Sequence, residues 1–508
     1  MGKRISEVII VDEIRKWEIG DLVCIQAGTG MGKSYFIKNI LGAFCKQQNK
    51  KILYLIHRKN CIDQFQEEIN KNKKTDIIDI MSYQKIETYW RYHKIFDFSS
   101  YQYIVCDEFH YFLSDAAFNK FSDVSLNMIL SWKSNIKIFM SATGDYMLRY
   151  LNNYRHIETK DYELPIEYNF IEGLTFFNKD ETLKKFVEES IARKDKSIFF
   201  IQSAEKAYDL YKKYKKHCLF NCGKSDKHYR HVDKDKINKM LTQCKFEEDV
   251  LITTTCMDAG VKILDKEVKH IVCDVKDVGT LIQCIGRKRQ LDDKDKIYLY
   301  IKAISNKQLG GMKSQLLKKI RMAKYFKDNG LQEFIKAYPK ESDINNIVYD
   351  VQTEDKNKCS KKINEMMYFK CNIDIAKINK MLEYKKFGYC KYLTDLFQYK
   401  EKYRLINEDY TEESDKKYID KLMKYLKHIR GKKLFQTGQE KLKKYFIKNG
   451  LKARSMGKHT INGYIKDLKL PYIIESYPDN MRRLENGQVN PNRGKRYWIV
   501  GEISFSEN

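Results

Sequence analysis

Proline is scarce in this chain, with 5 residues in 508, and tryptophan is scarcer at 4. With so little proline and 43% hydrophobic residues, the chain is neither a proline-rich linker nor a disordered coil. No apolar run reaches the roughly 18 residues of a membrane-spanning helix, so no membrane partner is expected. The first residues, Met1-Gly2-Lys3-Arg4-Ile5-Ser6, lack the apolar stretch and cleavage site of a secretory leader. Met1-Gly2 with Ser6 fits the loose myristoylation pattern, but the residues that follow hold no second anchor. None of the 13 cysteines forms a CxxC pair, and most sit in apolar runs, as Cys24 and Cys106 do. Free buried thiols suit a reducing compartment, so a cytoplasmic location is expected. His217, Cys218, Cys222, His228 and His231 resemble a zinc set, but Cys218–Cys222 reads as a strand and the His spacing is short for a finger.

What the chain has in excess is lysine. Lys+Arg number 95 against 68 Asp+Glu, a net charge of +27, and only 18 of the basic residues are arginine. The excess is uneven: residues 1–305 carry a net +8 and residues 306–508 a net +19, of which the last 88 hold +13. A basic tail on a near-neutral body is the electrostatic footprint of a nucleic-acid partner. A Lys-rich solvated surface would give the same totals, so charge alone does not decide.

At 508 residues about three domains are expected. Short apolar runs at Leu22–Gln26, Lys51–Ile56, Thr75–Ile80, Tyr103–Asp107 and Ile136–Met140 read as buried strands. Helical patterns at Lys33–Cys45, Asn60–Asn70 and Tyr83–Tyr92 lie between them. That alternation predicts a parallel sheet covered on both faces. It repeats with strands at Ser197–Gln202, Cys218–Asn221, Val250–Thr254, His270–Asp274 and Ile297–Ile301, after a linker at Asn152–Gly173. The expected fold is therefore α/β: two tandem domains, 1–150 and 151–305, then a mainly helical region, 306–410, and a basic domain, 411–508. In the third region 312–327, 360–368, 373–385 and 389–400 read as helices, and Glu401–Asp415 as a polar linker. The last region reads as three helices and a basic hairpin, the pattern of a winged helix, with Lys458–Leu468 entering a groove and the hairpin tracking phosphates.

The chemistry is concentrated in a few short motifs. Ala27-Gly28-Thr29-Gly30-Met31-Gly32-Lys33-Ser34 follows a strand and opens a helix, the setting a phosphate loop requires. Glycines let backbone N–H groups approach phosphate, Lys33 supplies a point cation, and Ser34 supplies a hydroxyl for Mg²⁺. Asp107-Glu108-Phe109-His110 ends a later apolar strand. Asp107 can hold Mg²⁺ through water and Glu108 can polarise the attacking water. A lone Asp-Glu pair is usually a solvated turn, but this one ends a strand of the same α/β unit as the loop. Ser141-Ala142-Thr143 ends another strand, and Gln283-Cys284-Ile285-Gly286-Arg287-Lys288-Arg289 places two arginines within three residues. An arginine presented from a neighbouring domain can stabilise charge on a γ-phosphate.

In order and spacing these motifs resemble superfamily 2 helicases of the DExH kind, and the chain is similar to the bacterial and phage DEAD/DEAH-box helicase family proteins. The resemblance covers about 305 residues and implies two RecA-like domains, ATP and Mg²⁺ as cofactors, and ATP-driven helicase or translocase activity as a monomer on nucleic acid. It assigns the loop Gly28–Ser34, including Thr29 and Met31, to ATP, with Ser34 and Asp107 on Mg²⁺ and Glu108 on the water. It assigns His110, Ser141 and Thr143 to coupling, and Gln283 and Arg287 to the γ-phosphate. Arg58, Tyr83, Gln84 and Thr254 fall where the family contacts nucleic acid. Two departures stand out. The second arginine of the last motif falls at 289 while position 290 is Gln, which leaves the role of Arg289 open. No Gln-containing motif lies just upstream of the loop, which sets the chain apart from strict DEAD-box RNA helicases and favours DNA over RNA. The alternatives are a remodeller of protein–nucleic-acid complexes that separates no strands, and a nucleic-acid-binding scaffold with weak ATPase activity.

Overall fold

In this computed structural model, the described residues are 4–57, 59–71, 74–92, 94–117, 119, 121–257, 261–339, 347–352, 359–406, 412–448, 456–468 and 470–503. The chain forms two compact units, 1–406 and 407–508.

The first unit begins with an all-parallel sheet of six strands: β1 (Leu22–Ala27), β2 (Ile52–Ile56), β3 (Ile78–Ser82), β4 (Tyr103–Asp107), β5 (Ile136–Ser141) and β6 (Lys160–Leu164). They lie in the order β3-β2-β4-β5-β1-β6. Alternate residues enter opposite cores: Leu22, Leu53 and Ile104 face one, and Val23, Tyr54 and Val105 the other. Burial on both faces is what makes these strands read as continuous apolar runs. The order puts β4, β5 and β1 side by side, with Asp107 opposite Met140 and Gln26 opposite Ser141. The phosphate loop, the Asp-Glu pair and the Ser-Ala-Thr segment therefore converge at one end of the sheet, where open α/β sheets bind ligands.

The second sheet holds β7 (Ile171–Phe177), β8 (Lys196–Ile201), β9 (Cys218–Asn221), β10 (Val250–Thr253), β11 (Val268–Asp274) and β12 (Ile297–Lys302), with a short edge strand from further along the chain. It too is parallel throughout, so the two RecA-like α/β domains stand as expected.

Several boundaries move. The first sheet runs past residue 150, because Lys160–Leu164 adds a strand beside β1. The expected linker thus shrinks to the few residues between β6 and β7. The alternation of that strand was hidden by its position at a sheet edge, where Lys160, Asp161 and Glu163 stay exposed. The helix expected at Lys33–Cys45 is interrupted by a π-helical stretch, Phe36–Leu41. The region after residue 305 is not wholly helical. Val348–Gln352 (β13) and Cys359–Ile363 (β14) form a hairpin, so the helix read at 360–368 begins only at Glu365. Arg404–Ile406 (β15), inside the expected linker, is the edge strand of the second sheet.

The long helices Asn306–Ala337 and Glu365–Glu383 tie both domains together. Met322, Ala323, Met366 and Cys371 join a core of the first domain, while Leu309, Ile378 and Met381 join that of the second. Lys377 also lies 3.9 Å over the ring of Tyr146 from the first domain.

The second unit contains helices Glu412–Ile429, Gln436–Lys448 and Lys458–Asp467, then the antiparallel pair β16 (Tyr472–Pro478) and β17 (Arg496–Glu502). Its own core includes Leu422, Leu426, Leu442, Phe446, Ile461 and Val500.

Candidate active site

The phosphate loop leaves β1 and turns through Gly30 and Gly32 at φ +96° and +92°, a left-handed conformation that favours glycine. Met31 is held beneath it, its sulfur 3.1 Å from the Gly28 N–H. Lys33 Nζ donates to the Ala27 carbonyl at 2.9 Å, so its ammonium lies along the loop. Ser34 follows it at the start of the helix.

Asp107 and Glu108 occupy the next strand end but one. The Tyr54 hydroxyl donates to the Asp107 carboxylate, and Tyr83 Oη donates to the Asp107 carbonyl at 2.9 Å. Glu108 sits at φ +51°, a strained conformation for a non-glycine residue. Its N–H donates to Asp107 Oδ1 at 2.9 Å, and the following N–H, of Phe109, donates to the Met140 carbonyl at 3.1 Å. Burial and the adjacent Glu108 charge push Asp107 above the usual carboxylate range. Burial alone would also raise Glu108, but Lys33, His110 and Arg287 around it hold it well below that range.

His110 bridges the two domains. Its Nδ1 is 2.8 Å from Ser141 Oγ and 3.3 Å from Glu108 Oε2, and its Nε2 is 2.7 Å from the side-chain nitrogen of Gln283 in the second domain. Gln283 also donates to Thr143 Oγ1 at 3.5 Å, and Ser141 Oγ accepts the Thr143 N–H at 3.0 Å. If the Gln283 amide donates to Nε2, Nδ1 carries the proton. The three residues assigned to coupling and one assigned to the γ-phosphate thus form one hydrogen-bonded chain across the cleft.

The arginines arrive from the same helix end. Arg287 is buried, with Nε donating to the Gln283 carbonyl at 3.1 Å and Nη1 to the Val261 carbonyl at 3.3 Å. Arg289 lies against the phosphate loop: a Cβ on Gly30 would come within 3.0 Å of its Nη1. Burial and the neighbouring Arg287 lower Arg289 to about 9, with Glu108 acting in the opposite sense, so its guanidinium is charged at neutral pH. Arg287 Nη2 and Arg289 Nη1 are both buried without a hydrogen-bond partner among the described residues. Two cationic donors with unspent N–H groups, one of them against a loop of backbone N–H groups, fit an anionic phosphate. The shifted arginine therefore lies beside the phosphate loop. For Mg²⁺, the oxygens of Ser34 and Asp107 are of the right kind, because this ion binds hard oxygens and completes its shell with water and phosphate.

Sequence reasoning missed one contributor, Tyr54, and one contact, that of Thr29 with the second domain. Tyr54 carries a hydroxyl within an otherwise aliphatic strand, Ile-Leu-Tyr-Leu-Ile, which is the only signal it gave. Thr29 donates to the Gly286 carbonyl at 3.3 Å, joining the phosphate loop to the second domain. A Cβ on Gly286 would lie 2.1 Å from Thr29 Oγ1, so that contact requires glycine.

Of the residues expected on nucleic acid, Tyr83, Gln84 and Thr254 fall within the described residues. Tyr83 is a correction: it is wholly buried and stacks on Tyr111, so its ring offers no face to a partner. It sits on the first turn of a helix capped by Ser82, which turns it under β4. Gln84 is half-buried and Thr254 is 7% exposed, its Oγ1 accepting the Cys256 N–H at 3.3 Å. Arg58 lies outside the described residues. Beside the coupling chain is a cavity of about 990 Å³ whose walls include His57, His110, Thr143, Gln283 and, from the bridging helices, Lys319 and Lys370. Among the described residues no group of three or more His, Cys, Asp or Glu could hold a metal ion, and His228, from the zinc-like set, pairs with Glu205 at 3.1 Å. No described helix is long and apolar enough to cross a membrane.

Residues 10–145 match the family model described as type III restriction enzyme, res subunit. No curated protein matches the chain. Among solved structures, the DEAD-box helicase Mss116 bound to single-stranded RNA is similar at 13% identity and a TM-score of 0.45, covering 75% of this chain and 90% of its own. Dbp5 of S. cerevisiae, bound to RNA, is similar at 17% identity and a TM-score of 0.41, covering 56% and 79% respectively. The DUF1998 helicase MrfA, bound to DNA, is similar at 15% identity and a TM-score of 0.42, covering 57% and 47%.

Proposed function

We infer that this chain, whose residues 10–145 match the res-subunit family model, is an ATP-hydrolysing motor of the superfamily 2 helicase kind that couples ATP turnover to movement on nucleic acid, DNA in preference to RNA. The observation that carries the reading is the run of contacts from Glu108 through His110 to Gln283, with buried Arg287 acting on Glu108 and half-buried Arg289 beside the phosphate loop. Lys33 leaves the Ala27 carbonyl for the β- and γ-phosphates. Glu108, held anionic, orients the attacking water and receives its proton. Ser34 and Asp107 would hold Mg²⁺, which when bound would supply positive charge against the phosphates. Arg287 and Arg289 neutralise the charge that develops on the transferred phosphoryl group, the role for which such residues contribute about 10³–10⁵ in rate. Because Gln283 touches His110 only when the domains meet, closure and hydrolysis are linked. The preference for DNA rests on the missing upstream Gln motif, and the second unit, with its three helices and basic hairpin, supports a winged-helix grip.

ATP turnover measured in parallel with single-stranded DNA, duplex DNA and RNA at fixed salt tests this reading. Stimulation by nucleic acid, strongest with DNA, is the expected result. Turnover indifferent to all three would overturn it, and stimulation without unwinding would favour the remodeller.

A further inference from the structure

The loop joining β16 and β17 is a built element with an unusual surface. Within Asp479–Lys495, Leu484 N–H donates to the Gln488 carbonyl at 2.9 Å and Asn490 N–H to the Arg482 carbonyl at 3.1 Å, so 482–490 is a small ribbon of its own, turning at Gly487 with φ +81°. Buried Asn490 and Asp479 anchor it. Asn490 Nδ2 donates to the Met481 carbonyl at 3.0 Å, and the Asp479 N–H and carbonyl are paired with Lys495 and Gly494 at 2.9 and 2.7 Å.

Arg482, Arg483, Arg493 and Lys495 are all exposed on this element, with exposed Arg496 next to it, against a single exposed acid within it, Glu485. Among the described residues no carboxylate pairs with Arg482, Arg483 or Arg493. Four of the chain's 18 arginines fall within residues 482–496, in a protein whose default cation is lysine. Arginine is the residue whose planar fork suits phosphate and groove edges, so the choice is not one of charge alone. The ribbon also exposes apolar side chains: Val489 is 78% exposed, Met481 50% and Leu484 40%. It contains no aromatic residue on which the bases of a single strand could stack. Arginines beside exposed apolar wedges are the chemistry by which proteins enter a groove and press on a base step.

We propose that residues 479–495 form a duplex-gripping wing: the arginines hold the phosphates and groove edges of double-stranded DNA, and Met481, Leu484 and Val489 bear against its base pairs. The inference rests on the nucleic-acid reading above and narrows it, giving duplex recognition to the second unit.

The full chain carrying Arg482→Ala, Arg483→Ala and Arg493→Ala together tests it, by fluorescence anisotropy with labelled duplex and single-stranded DNA across a salt series. Duplex affinity is expected to fall at least tenfold, and the slope of log K against log salt to drop by about 2.7, the equivalent of three phosphate contacts. Single-strand affinity and single-strand-stimulated ATP turnover stay unchanged. Since the three side chains are exposed, the melting temperature stays as in the parent. The corresponding triple Arg→Lys variant keeps the salt slope. Unchanged duplex affinity, or an equal loss on single strands, overturns the wing. Absence of any nucleic-acid-stimulated turnover in the parent chain would instead sink the motor reading.

Discussion

β1 and β7 hold matching places, each the first strand of its domain and each second from the edge of a parallel sheet. β1 enters its helix through Gly28, Gly30 and Gly32, which leave room for a phosphate against backbone N–H groups. β7 enters helix Glu181–Arg193 through Asn178-Lys179-Asp180, with no glycine and no cradle. One architecture thus serves two chemistries. In the proposed motor the first domain supplies the loop, the oxygens for Mg²⁺ and the carboxylate for the attacking water. The second supplies cations and an amide that reads whether the domains have met. Neither set is complete alone, and the contacts that join them include Thr29 to Gly286, His110 to Gln283 and Gln283 to Thr143.

The division can be broken from either side. Lys33→Ala removes the cation of the first domain, and ATP turnover is expected to fall roughly 10²–10³-fold while nucleic-acid binding stays measurable; steady-state hydrolysis and anisotropy check both. Gly286→Ala drives a methyl group into Thr29 and props the domains apart. An overpacking cost of about 1–3 kcal/mol predicts a loss of roughly tenfold in kcat/KM, which Thr29→Ala in the same chain restores in large part. Gln283→Ala removes one link of the coupling chain. A net hydrogen-bond contribution of about 1 kcal/mol predicts a drop of about fivefold in stimulated turnover, with basal turnover unchanged; comparing the two rates checks it.

The elements legible in the sequence were those whose signal is local. The glycines, Lys33 and Ser34 lie in one run of residues, and apolar strands buried on both faces announce themselves by composition. Lys160–Leu164 did not, because an edge strand needs only one buried end residue, Leu164, to be held. Cys359–Ile363 pairs with a strand that begins eleven residues earlier, a fact no window around residue 360 contains. Tyr83 was misread for a related reason. Its place after a strand suits a surface loop, but Ser82 caps the helix and turns the ring inward, where its hydroxyl satisfies the carbonyl of Asp107. Arg289 shows the opposite case: its offset spacing looked like a departure, yet the chain leaving the helix returns along Ile263, to whose carbonyl the Arg289 N–H donates at 3.0 Å, and so brings the side chain back to Gly30.

The central claim is that hydrolysis takes place at a site shared by two domains. Single-turnover ATP hydrolysis by Arg287→Ala in the presence of single-stranded DNA, with ATP affinity measured alongside, tests it most directly. The account predicts a rate lower by about 10³-fold or more, with ATP affinity changed only a few-fold, because the arginine acts on charge that develops in the transition state. A rate within a few-fold of the parent chain would contradict it and return hydrolysis to the first domain alone.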